Sequence, residues 1–159
     1  MKPILTYKNV AIAGALCLLI ALSLKLQTSS RNTRTIQCQS RQILIHDDFK
    51  ADANYGFTFS ENKGEVTIHG LAMEKNEQIT ISRAIKFTFI NNDDVYILKN
   101  TNIEYLSSAD SQKSSQTNVH YPAFYYESGK ELILKIVPDK YDNSVIYLHN
   151  MPLFYCKKM

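Results

Sequence analysis

Residues 78–90 read QITISRAIKFTFI, and this run limits the chain more than any other. Ile79, Ile81, Ile85, Phe87 and Phe89 fall on one side, and Gln78, Thr80, Ser82, Lys86 and Thr88 on the other. A period of two over this length is the pattern of a half-buried strand, because successive side chains of a strand point to opposite faces. Arg83 interrupts the apolar side, so either a bulge or a paired inward arginine is expected there.

The same period recurs along the chain. In YGFTFS, Tyr55, Phe57 and Phe59 share a side, as do Val66 and Ile68 in EVTIHG, with ENKG between them as a hairpin turn. Gly64 is available there for a positive φ. NNDD (91–94) turns the long strand back into VYILKNTNIEYL, where Val95, Ile97, Ile103 and Tyr105 continue one face. KELILKIV alternates at Leu132, Leu134 and Ile136; PDKYDNS turns the chain; VIYLHNMPLFYC follows. With TIQCQSRQILIH at the start, seven or eight strands are expected, and no segment after residue 35 carries a convincing helical stripe. Short, turn-linked strands predict an all-β fold: an antiparallel meander, as an open sheet, sandwich or small barrel.

Residues 107–129 depart from this pattern. Their Ser/Gln-rich first half reads as a loop, long enough to be functional or disordered. Their second half carries Tyr121, Phe124, Tyr125 and Tyr126, read either as an aromatic strand packed into the core or as a partner surface.

Ahead of the β region, VAIAGALCLLIALSL (10–24) contains no charge and is flanked by Lys8 and Lys25. At 1.5 Å per residue it covers about 22 Å, and snorkelling lysines can extend it across a bilayer. The following LSLKLQTSS has no Ala-x-Ala cleavage site. The favoured reading is an uncleaved signal anchor, against a cleaved signal or a buried helix. The expected layout is a cytoplasmic tail (1–9), a transmembrane helix (10–26), a polar tether (27–35) and one β domain (36–159). Orientation draws two answers. Lys25, Arg31, Arg34 and Arg41 outnumber Lys2 and Lys8, which favours a cytoplasmic C-terminal domain. Cys38 and Cys156 bracket the β domain, which suits a disulfide in an oxidising compartment, against the alternative of two unrelated thiols.

Chemistry finds little footing. There is no Gly-x-Ser-x-Gly elbow and no phosphate-cradling Gly-rich loop, and the whole chain has five glycines. His46-Asp47-Asp48 closes a strand, His69 is expected to face solvent, and His120 and His149 lack ligand spacing with the two domain cysteines. The net charge of +3 is scattered, without the basic run that tracks nucleic acid. No enzymatic activity, cofactor or metal is expected.

The whole layout, from the short N-tail through one apolar helix to a β domain bracketed by Cys38 and Cys156 and ending MPLFYCKKM, resembles the FidL-like family of small enterobacterial inner-membrane proteins. In layout it also resembles ToxS-type partners. The resemblance implies a single-pass protein with its C-terminal domain in the periplasm. It also implies a ToxR-like, membrane-bound winged-helix regulator as partner. The alternative function is a periplasmic module binding a bile salt or fatty acid, with Phe57, Phe59, Phe87 and Phe89 lining a cavity.

Overall fold

Alternation of this kind closes on itself here. The computed structural model describes residues 35–159, which form eight antiparallel strands: β1 (Ile36–His46), β2 (Phe49–Ser60), β3 (Lys63–Glu74), β4 (Glu77–Asn92), β5 (Val95–Tyr105), β6 (Glu131–Pro138), β7 (Ser144–Leu148) and β8 (Met151–Lys158). Each strand pairs with the next, and β8 returns to β1, giving an up-and-down closed barrel rather than a sandwich. The expected tail, anchor and tether lie outside the described residues, Thr35 excepted. Among the described residues no helix is long and apolar enough to cross a membrane.

Eight strands leave an interior that side chains can just fill. Phe57, Phe59, Phe87, Ile85 and Leu98 point inward and are fully buried. Phe59 lies edge-on to Phe87, Phe89 and Tyr96 at 5.3–5.5 Å, and Phe57 to Phe154 at 5.0 Å. Each such side chain contributes about 1.5–3 kcal/mol by burial alone.

The hairpins are tight. β1–β2, β2–β3, β3–β4, β4–β5 and β7–β8 are each joined by two residues. The first of the two has positive φ every time: Asp47, Glu61, Lys75, Asp93 and His149. Such turns match the right-handed twist of the flanking strands, and they normally recruit glycine or asparagine. Gly64 does not play the role expected of it. It sits inside β3, where an added Cβ would run into the Phe87 ring and the Thr58 carbonyl, so its use is close approach. Glu61 supplies the positive φ, of 56°, instead. A left-handed glutamate costs about 1–2 kcal/mol, and glycine's extra chain entropy offsets about 0.5–1 of that. Glu61→Gly is therefore expected to stabilise the domain by about 0.5–1 kcal/mol, read as a higher denaturant midpoint at unchanged slope.

Arg83 follows the second of the two expectations. It points inward, 1% exposed, and is paired. The β4–β5 bulge lies elsewhere, where Lys86 faces Asn102 and Phe87 faces Asn100, so that Thr101 is the extra residue.

The Ser/Gln-rich stretch is not a loop. Ser108–Asn118 forms a helix, α1, capped by Ser107, whose hydroxyl accepts from the Ala109 N–H at 3.2 Å. Its inner face is polar: Asp110 and Thr117, seven residues apart and hence two turns along one side, are both buried. After it comes not a strand but a 3-10 turn, Ala123–Tyr125. Asn100 holds this turn by donating to the Phe124 carbonyl at 2.6 Å. Together these pieces plug one end of the barrel, while the chain enters β1 and leaves β8 at the other.

Candidate functional site at the barrel seam

β1 and β8 close the barrel over a short distance. Their register contains only Cys38↔Lys158 and Gln39↔Lys157, extended by the Met159 N–H donating to the Gln37 carbonyl at 3.3 Å. The Cys38–Cys156 disulfide joins the two strands at this stretch, from paired Cys38 to the residue just before Lys157, with both cysteines buried and Cα atoms 5.3 Å apart. The expected pairing is therefore present.

Beyond it the two strands splay. β1 continues through His46, fully paired with β2 on its other side, yet it has no β8 partner from Ser40 onward. Extending the register would set Arg41 against Tyr155, Ile43 against Leu153 and Ile45 against Met151, and none of these pairs forms. Because the Gln37 carbonyl faces β8, alternation turns the backbone N–H and C=O groups of Arg41, Ile43 and Ile45 toward the same gap. One side-chain bridge spans it, from Gln42 Nε2 to the Leu153 carbonyl at 3.4 Å. An open groove of about 500 Å³ runs past Ser40, Arg41, Leu153 and Tyr155.

The two lips differ in chemistry. β8 carries Pro152, which has no N–H, and a register irregularity opposite Ile146/Tyr147, both devices that discourage added strands. β1 carries neither. Its outward side chains Ile43 and Ile45 are 54% and 68% exposed. Arg41 is spent on Asp52 of β2 through two hydrogen bonds of 2.8 and 2.6 Å, which hold the Asp52 carboxyl below its ordinary range.

The aromatic residues considered as a partner surface sit elsewhere. Tyr121, Phe124 and Tyr125 are buried and Tyr126 is half-buried, so the four do not form an exposed patch. They are core of the plug: the Tyr55 hydroxyl donates to the Tyr121 hydroxyl at 3.3 Å, and Phe124 lies 5.9 Å from Phe87. Burial drives the phenols of Tyr55, Tyr121 and Tyr125 above their ordinary range, so they serve as neutral packing groups. The physical reason is that the one apolar residue of α1, Ala109, is exposed, so the aromatic segment supplies the plug's apolar contact with the barrel interior.

Under the plug, Arg83 meets Asp110 through Nε at 2.8 Å and through a very close Nη2 contact. It also donates to Thr117 Oγ1 and Asn118 Oδ1, each at 2.9 Å, and lies over the Tyr105 ring. Asp110 accepts the Ser82 backbone N–H as well. This is a closed network, each charge answered by the other. His69 faces outward, as expected, with Nδ1 3.0 Å from the Ser82 hydroxyl. Among the described residues, no group of three or more His, Cys, Asp or Glu side chains is placed to hold a metal ion.

A family model described as the YqeJ C-terminal domain matches residues 35–156, from the start of β1 into β8. The chain belongs to that family. No curated protein and no solved structure matches it. The span matched by the family includes both cysteines of the seam, the whole open lip of β1 and the plug.

The open lip was not legible as such in the sequence. Ile43 and Ile45 belong to an apolar run, QILIH, that reads as an ordinary strand. Only its neighbour's departure makes it an edge.

Proposed function

We propose that this chain is a single-pass inner-membrane accessory protein whose periplasmic barrel binds a protein partner by taking an extended segment of it along the free edge of β1. The observation that carries this is the lip at Arg41–Ile45, which no strand among the described residues pairs on that side, with three outward-turned peptide groups and two exposed isoleucines. Strand addition recruits backbone hydrogen bonds for affinity and flanking side chains for selectivity. The small-molecule alternative asks for a lined cavity, whereas Phe57, Phe59, Phe87 and Phe89 are packed against other rings of the core. That contrast favours protein binding, and the saturated Arg83–Asp110 network favours a binding role over catalysis.

The apolar run 10–24 supplies the membrane anchor in this reading, and the buried Cys38–Cys156 bond supports the oxidising side for the barrel. The finer likeness to FidL-like and ToxS-type proteins suggests the partner: the outer domain of a membrane-bound regulator with a winged-helix cytoplasmic domain.

The test is co-purification of the full chain with a membrane-bound winged-helix regulator of this kind, in mild detergent. Ile43→Pro removes an N–H that faces the gap and no β2 ladder bond, and Ile45→Lys places a charge on the lip. Each is expected to reduce recovery of the partner about tenfold with little change in thermal stability. Recovery of neither protein with the other, or recovery by both variants equal to that of the wild type, would count against strand addition.

A further inference from the structure

We propose that His46 and His120 form a two-nitrogen site for a divalent transition metal of the copper(II) or nickel(II) type. The two histidines are 74 residues apart, yet their Nδ1 atoms stand 2.9 Å from one another. His46 ends β1, and His120 follows α1, where its backbone N–H donates to the Thr117 carbonyl at 3.1 Å. The fold holds the second ring firmly: His120 stacks on Phe49 at 3.9 Å between centroids, with planes 10° apart.

A carboxylate stands near the far nitrogen of each ring. Glu74 Oε1 lies 3.8 Å from His120 Nε2, and Asp47 Oδ2 lies 3.9 Å from His46 Nε2. His120 Nε2 is buried without a hydrogen-bond partner, so this carboxylate is the polar group it faces. A carboxylate beside Nε2 favours the N–H there and turns the lone pair to Nδ1, the arrangement common behind metal-bound imidazoles. With a proton on one Nδ1 the pair is an ordinary N–H···N hydrogen bond; with the protons on both Nε2 atoms, the two Nδ1 lone pairs, 2.9 Å apart, can converge on a cation set to one side of the line that joins them.

The separation also selects the cation. With metal–nitrogen bonds of about 2.0–2.1 Å, a 2.9 Å bite corresponds to an angle of about 90° at the metal. That is a cis pair in a square or tetragonal site, as copper(II) and nickel(II) prefer, whereas tetrahedral zinc needs about 3.3 Å. His46 is 59% exposed, so the remaining positions are open to water. The adjoining turns and strand ends carry Asp47, Asp48, Glu74 and Glu77 against Lys50 and Lys75, a balance that attracts a cation.

The experiment titrates the metal-free full chain, in mild detergent, with copper(II) alone and with nickel(II) alone. One copper(II) per chain is expected, with a paramagnetic resonance spectrum split by two imidazole nitrogens. His46→Ala and His120→Gln are each expected to weaken binding about tenfold or more, and His69→Ala to leave it unchanged. His46→Ala, at an exposed strand end, keeps the test valid should the His120 variant fold poorly. Unchanged binding in His46→Ala, a spectrum without imidazole coupling, or no uptake would overturn the proposal, leaving a proton as the sole bridge between the rings.

Discussion

Replacing Asp110 by alanine is expected to cost about 3–5 kcal/mol of folding stability, the loss typical when one partner of a buried ion pair is removed. Arg83 and Asp110 have side chains 1% and 0% exposed. Without the carboxylate, the guanidinium stays among Thr117, Asn118 and Tyr105, none of which carries negative charge. The Ser82 N–H loses its acceptor in the same step. A domain of this kind has about 5–15 kcal/mol in total, so the variant stands near the threshold of folding. Equilibrium denaturation measures the loss. The pair Arg83→Met with Asp110→Leu provides the control, because exchanging both charges for apolar groups of similar volume is often neutral or stabilising. If Asp110→Ala unfolds at the wild-type midpoint, the ion pair is not what binds α1 to the barrel.

Removing the Cys38–Cys156 bond is expected to have an effect of the same size or larger. A bridge between residues 118 apart lowers the entropy of the unfolded chain by an amount worth about 5 kcal/mol in the loop-closure model. The seam has little else: two register pairs close it. Cys38→Ser with Cys156→Ser, or a reductant applied to the wild type, is thus expected to lower the denaturation midpoint sharply. Hydrogen exchange is expected to quicken first at β1 and β8 rather than in β2–β4, where pairing is continuous over entire strands. Equal midpoints with and without reductant would show that the barrel closes by packing alone.

The two losses arise at different places and by different routes, one in the folded state under the plug and one in the unfolded chain. They are therefore expected to add.

Much of the barrel was legible residue by residue. Ile79, Ile81, Phe87 and Phe89 were expected on one face and are buried together, and the inward Arg83 was legible as a break in that face. α1 is not legible in the sequence because Asp110 and Thr117 carry its period. Helical stripes are sought among apolar residues, and a polar stripe signals a helix only when its buried complement, here Arg83, is known. ENKG reads as a turn and is one, but Glu61 rather than the glycine carries its positive φ. Hairpin twist imposes φ on a position and tolerates the residue found there. Tyr121, Phe124 and Tyr125 could be read as core or surface from composition alone, and the empty end of the barrel made them core.

What the sequence by itself determined is whatever one dimension can hold: strand periodicity, the approximate number of strands, and which two cysteines could meet across the β domain. Tertiary structure decided barrel over sandwich, the early parting of β8 from β1 that leaves Arg41–Ile45 open, the Arg83–Asp110 pair and the approach of His46 to His120. Each of these depends on closure, which brings together residues far apart in the chain, and no local pattern records that distance.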